Sequence, residues 1–146
     1  MKNVRFLYQW PVAFLFLINI YSGCKKDAGE GGTSTIEGRV LIYRYDLSLS
    51  RIVDTVPASR EDIFIIYGAV NSTYDDDFNC SYDGSYRFSG LQKGDYRLFS
   101  YSEDTTGLFD QTLDPTRPRF PVFADVSVTG NKSTVQAPDI IIFEER

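Results

Sequence analysis

Apolar residues between Thr35 and Phe143 recur at every second position, in short runs closed by Gly, Asp, Asn or Pro. A period of two puts alternate side chains on opposite faces of an extended chain, so such runs form half-buried strands and not helices. Ile36, Gly38, Val40 and Ile42 share one face of the first run, and Glu37, Arg39, Leu41 and Tyr43 share the other. Ile63-Phe64-Ile65-Ile66-Tyr67 is a continuous apolar run, which suits a central strand covered on both faces. Phe78–Tyr82, Ser85–Ser89, Tyr96–Tyr101, Val122–Val128 and Thr134–Phe143 complete about seven strands. Asp83-Gly84 between two of these runs predicts a tight hairpin, because a type I′ turn needs positive φ at both central residues. Pro138 in the closing run has no N–H to donate and predicts a sheet edge or a bend. Many short strands with frequent turn signals predict an all-β, antiparallel, seven-stranded sandwich.

The first 34 residues read differently. Lys2 and Arg5 precede a mostly apolar stretch, Phe6–Ile20, interrupted by Gln9, Pro11 and Asn19 and followed by the small pair Ser22-Gly23. This stretch is too short and broken to span a bilayer comfortably, and the order of positive start, apolar middle and small residues is that of a secretory leader. Tyr21-Ser22-Gly23-Cys24 resembles the lipobox of bacterial lipoproteins, with Tyr21 where Leu is usual. The resemblance implies cleavage after residue 23, diacylglycerol on the Cys24 thiol, and a place in the cell envelope, on the outer membrane, with the membrane as partner through that lipid. A plain secretory leader is the alternative. Residues 24–34 are polar and Gly-rich and read as a tether; a coil of about ten such residues reaches roughly 17 Å. The sandwich is then expected over residues 35–146.

Cys80, the second of two cysteines, reads as a buried thiol, with a Cys24–Cys80 disulfide as the alternative that lipidation excludes. Without the leader the chain carries 13 basic against 20 acidic residues, which argues against nucleic acid as a partner, since phosphate neutralisation needs clustered cations. No histidine occurs, which removes the usual general base near neutral pH and the commonest metal ligand. No serine lies in a Gly-x-Ser-x-Gly elbow. The chain therefore reads as non-enzymatic, with no cofactor. Asp75, Asp76 and Asp77 form a dense acidic cluster, but consecutive carboxylates cannot all turn inward and the spacing is not that of an EF-hand.

Asp83-Gly84-Ser85-Tyr86-Arg87-Phe88-Ser89-Gly90-Leu91-Gln92-Lys93-Gly94-Asp95-Tyr96-Arg97-Leu98 resembles the turn, strand, loop and strand of carboxypeptidase regulatory-like and collagen-adhesin B-type repeats. The resemblance implies a transthyretin-like fold, with Leu91 in the core and Tyr86, Phe88, Tyr96 and Leu98 packed between sheets. The isopeptide cross-link of some adhesin repeats is not expected, since the first strand lacks Lys and the last lacks Asn. Transthyretin-like hydrolases of the purine pathway rely on a histidine that this chain lacks. Two segments exceed the family core, Asp46–Arg60 and Glu103–Pro121. The first carries Leu47, Leu49, Ile52 and Val53, enough to add a hairpin to the sheet. The second offers Phe109, Arg117, Arg119 and Phe120 as candidate binding residues, because long loops on a rigid sandwich often carry function. The partner expected is another envelope component, bound or scaffolded, with a cell-surface glycan held by the 103–121 loop as the alternative.

Overall fold

The computed structural model describes residues 28–45, 51–68, 73–103 and 119–145. These residues form strands β1 (Glu30–Tyr45), β2 (Ile52–Pro57), β3 (Asp62–Tyr67), β4 (Asp76–Asn79), β5 (Ser85–Leu91), β6 (Gly94–Glu103), β7 (Arg119–Val128), β8 (Thr134–Gln136) and β9 (Ile140–Glu145). No helix occurs among them. The protein is all-β, as the two-residue period predicts.

The strands make two sheets that close on one core. In the first, β1 is long enough to serve two sets of neighbours: its first half lies between β5 and β8, its second half between β2 and β9. The second sheet has the order β4-β3-β6-β7 and is antiparallel throughout. Ile36, Val40 and Ile42 of β1 face Ile63, Ile65, Tyr96 and Leu98 of the other sheet across the interior. Leu91, Tyr86 and Phe88 are buried with them, in the positions the repeat-like motif implied. Three serines share the interior and each is satisfied. Ser34 donates to the Gly130 carbonyl at 2.9 Å, and Ser100 donates to the Asp62 carbonyl at 2.8 Å. Ser102 accepts from the Phe143 amide at 2.8 Å.

Four expectations are corrected. Nine strands form among the described residues, against the expected seven or so, and the sheet built on β1 is mixed. After β7 the chain crosses to the first sheet and runs parallel to β1, with Thr35 opposite Thr134 and Val40 opposite Ile140. Pro138 falls between β8 and β9 at the outer edge of that sheet, and the Ala137 amide, donating to the Glu37 carbonyl at 2.8 Å, keeps the ladder in step across the break. Asp83-Gly84 is not a hairpin, because β4 pairs in one sheet and β5 in the other. It is a corner between sheets: Gly84 takes φ +74°, its amide donates to the Ser81 carbonyl at 2.9 Å, and a Cβ there would strike the Val40 carbonyl. Asp83 fixes the corner by accepting from the Ser85 amide at 3.1 Å and hydroxyl at 2.6 Å.

The fourth correction concerns the tether. β1 begins at Glu30, not Thr35, so the Gly-rich residues before Thr35 are part of the sheet. Backbone contact orders them where side chains do not: Glu30 and Ser34 both oppose Leu91 across a bulge. The Gln92 amide donates to the Gly29 carbonyl at 2.8 Å, and the Gly29 amide donates to the Tyr96 hydroxyl at 3.1 Å. Residues 24–27, Cys24 included, lie outside the described residues. The Asp46–Arg60 expectation holds in part: β2 adds to β1 antiparallel, while 46–50 lie outside the described residues.

Two side chains give direct tests of this packing. The Tyr86 hydroxyl is buried with no hydrogen-bond partner, against the backbone of Gly38. An unmet buried hydroxyl costs about 1–3 kcal/mol, so Tyr86→Phe should leave stability unchanged or raise it by about 1 kcal/mol in urea denaturation; a loss of that size would show that the hydroxyl has a partner. Cys80 is a free, buried thiol directly after β4, and burial, aided by Glu61, Asp62 and Asp83, pushes its pKa up to about 12. Maleimide should therefore leave Cys80 unmodified in the folded protein and react with it in denaturant; equal rates in both would place the thiol at the surface.

Candidate functional site

The second sheet has an inner and an outer face, and aromatic residues occupy both. Inside are Ile63, Ile65, Tyr96, Leu98, Ala124, Val126 and Val128. The alternate positions point outward, and pairing sets three phenylalanines side by side: Phe64 of β3 opposes Phe99 of β6, which opposes Phe123 of β7. Phe64 and Phe99 stack with centroids 5.0 Å apart and planes 21° apart, and Phe123 follows at 5.5 Å from Phe99. Tyr101 meets both Phe99, at 5.5 Å, and Phe64, at 5.7 Å, edge to face. Tyr74, just before β4, leans on Phe64 at 4.8 Å. The result is a five-ring platform across the sheet.

Its burial is uneven. Phe99, at the centre, is only 6% exposed, whereas Tyr74, Tyr101 and Phe123 are 47%, 40% and 51% exposed. Ring pairs in offset and edge geometries attract through their quadrupoles, which holds the five rings together. Polar groups frame it. The Arg97 guanidinium lies 5.3 Å from the Phe123 ring centroid and pairs with both oxygens of Asp125, at 2.7 and 3.0 Å. That bidentate contact holds the Asp125 carboxyl below its ordinary range. Asp77 stands opposite Phe64 on β4.

The residues singled out from sequence fall differently. Phe109 and Arg117 lie outside the described residues. Arg119 and Phe120 open β7, opposite Glu103 and Ser102 respectively, at the sheet end far from Gly94 and Val128. Arg119 is exposed and near Glu61, whose carboxyl burial holds above its ordinary range while Arg119 opposes the shift. Phe120 falls with the inward positions of β7, whereas Arg119 shares the outward set with Phe123, at the end of the strand beyond Pro121. Asp75 and Asp76 are engaged by backbone: Asp75 accepts from the Tyr67 amide at 2.7 Å and Asp76 from the Asp77 amide at 2.9 Å. Among the described residues no group of three or more acidic or cysteine side chains is arranged to hold a metal.

A cleft of about 500 Å³ opens on the first sheet, lined by Glu37, Arg39, Ser85, Arg87 and Gln136. Arg87 and Glu37 pair across it at 3.1 Å, and Arg39 adds a further positive charge to its lining.

No family model matches the chain, and no curated protein is similar to it. Several solved structures are similar, among them these two. One is a protein of Pseudomonas aeruginosa provisionally described as carbohydrate binding, at 12% identity and TM-score 0.44, spanning 80% of this chain and 92% of that one. The other is (S)-allantoin synthase, at 12% identity and TM-score 0.38, spanning 79% of this chain and 42% of that one.

The Arg97–Asp125 pair carries a pH signature. A carboxyl whose folded pKa is depressed adds stability that is fully present above its unfolded pKa, about 3.9, and is lost as pH falls through the folded value. The Arg97 side chain is about one-third exposed and that of Asp125 mostly so, and solvent screening keeps the contribution small. Asp125→Asn should thus lower the urea midpoint slightly near neutral pH, and the difference from wild type should vanish by about pH 2; a difference unchanged by acid would mean the pair contributes nothing.

Proposed function

We propose that this chain is a non-enzymatic, lipid-anchored binding module of the bacterial cell envelope, and that the aromatic outer face of the second sheet is its recognition surface for a glycan. The observation that carries the reading is the row of three phenylalanines in register across β3, β6 and β7, with Phe123 at its end and the flanking Tyr74 and Tyr101 exposed to solvent. Soluble domains rarely leave a contiguous apolar patch uncovered unless it binds something. The chemistry of the patch selects the ligand. A pyranose presents apolar C–H faces and a rim of hydroxyls; flat rings meet the first, and Arg97, Asp125 and Asp77 at the border meet the second.

Shape points the same way. Sites for small molecules are concave and enclose most of the ligand, whereas these rings run across three adjacent strands, which suits a chain of sugars lying across the sheet. The leader-like order of residues 1–23 and the lipobox-like Tyr21-Ser22-Gly23-Cys24 support an anchor in the envelope, where such chains are abundant. The absence of histidine and of any nucleophile elbow supports binding without turnover.

A glycan array read with the purified domain tests this. Phe123→Ala and Tyr101→Ala, both at exposed positions, should each weaken binding by about tenfold, the loss expected of one ring contact, with thermal midpoints close to wild type. Phe120→Ala should change affinity little. A flat array, or binding lost on Phe120→Ala but kept on Phe123→Ala, would contradict the assignment.

A further inference from the structure

We propose that the end of the sandwich from which the chain leads back to Cys24 rests against the membrane surface, with Lys93 and Lys132 in contact with anionic lipid headgroups. The proposal rests on the reading of Cys24 as the lipid site. It begins with how little chain is left for a tether. Gly29 is held from three sides: its amide donates to the Tyr96 hydroxyl at 3.1 Å, its carbonyl accepts from the Gln92 amide at 2.8 Å, and the Tyr96 hydroxyl, 3.2 Å from the same carbonyl, also bonds the Gln92 carbonyl at 2.7 Å. Ala28 packs against the core, so close to Gly94 that a Cβ on that glycine would collide with it. Only Lys25, Lys26 and Asp27 separate Cys24 from this fixed point. Four residue steps span at most about 14 Å, against a headgroup layer of roughly 5–8 Å. A lipid on Cys24 therefore holds this end of the domain close to the surface.

The distribution of lysines fits that placement. Apart from Lys2 in the leader, the chain has four: Lys25, Lys26, Lys93 and Lys132. Lys25 and Lys26 follow Cys24 directly. Lys93 is exposed in the turn whose neighbours, Gln92 and Gly94, meet Gly29 and Ala28. Lys132 is exposed in the loop after β7, its amide donating to the Thr33 hydroxyl at 3.1 Å. Lys93 and Lys132 therefore share the end at which Ala28 and Gly29 are fixed, although nothing in the sequence spacing brings them there.

The acids of the described residues near this end are Glu30, Asp75, Asp76 and Asp95; Glu30 accepts from the Tyr67 hydroxyl, Asp75 from the Tyr67 amide, Asp76 from the Asp77 amide and Asp95 from the Ser127 hydroxyl. These acids are held by protein donors, whereas Lys93 and Lys132 are exposed and able to meet a headgroup. The long axis of β6 then rises from the membrane. Its ten residues carry Glu103 about 30 Å from Gly94. The aromatic face stands upright between the two ends.

The test uses the lipidated full chain in phosphatidylcholine vesicles with and without phosphatidylglycerol, some lipids carrying a headgroup nitroxide. Buried Cys80 leaves room for a single reporter fluorophore on Asn131→Cys or, at the opposite end, on Val53→Cys. Quenching is expected at 131 and not at 53. It should require phosphatidylglycerol, and Lys93→Gln with Lys132→Gln should reduce the docked population by about fivefold per lysine. Equal quenching at both positions would overturn the orientation. Quenching at 131 that ignores lipid charge and both substitutions would overturn the lysine contact. A chain that does not float with the vesicles would instead overturn the anchor reading, and the orientation with it.

Discussion

Every strand of the first sheet hydrogen-bonds to β1, and the rest of the molecule depends on that one long ladder. Its two halves take different neighbours, β5 and β8 first, then β2 and β9, so a single strand ties together segments from both ends of the chain. Its inward side chains, Ile36, Val40 and Ile42, form one wall of the core. Gly38 among them leaves the space that the Tyr86 ring fills. The second sheet packs its apolar face on this wall, and the register imposed between β3, β6 and β7 then decides what the opposite face displays.

That display is the functional core of the account. Antiparallel sheets commonly turn one face to water and make it polar. Here the outward positions of three adjacent strands carry Phe64, Phe99 and Phe123 in line, with tyrosines at two corners. The rings stabilise one another, and Arg97 with Asp125 caps one side, so the platform is pre-formed and a ligand need not order it. The cleft on the first sheet lacks this character, since Glu37, Arg39, Arg87 and Gln136 give it a charged and polar lining in place of a row of rings.

Much of the fold was legible in the sequence, because strand period is a local property. Ile36, Val40 and Ile42 announce an inward face, Pro138 marks an edge, and Leu91, Tyr86, Phe88, Tyr96 and Leu98 fall in the core as the repeat-like motif implied. What was not legible depends on pairing at a distance. Asp83-Gly84 reads as a hairpin until β4 and β5 are seen to join different sheets. Glu30–Ser34 reads as a linker because its order comes from backbone bonds and the Tyr96 hydroxyl. The platform was missed for the same reason. Phe64 sits in a run that reads as doubly buried and Phe123 alternates with valines, but only the register shows that they flank Phe99. The one local clue was Arg97-Phe99-Tyr101, an outward set with two aromatics where polar residues are the rule.

The central claim is that the aromatic face of β3, β6 and β7 is the surface that binds. Titrating the isotopically labelled domain with envelope oligosaccharides, and following backbone and aromatic resonances residue by residue, tests it most directly. The account predicts that shifts concentrate at Phe64, Arg97, Phe99, Tyr101 and Phe123 and spare Glu37, Arg39 and Arg87. Shifts centred on the Glu37–Arg87 cleft, or on the 104–118 segment with the platform silent, would contradict it.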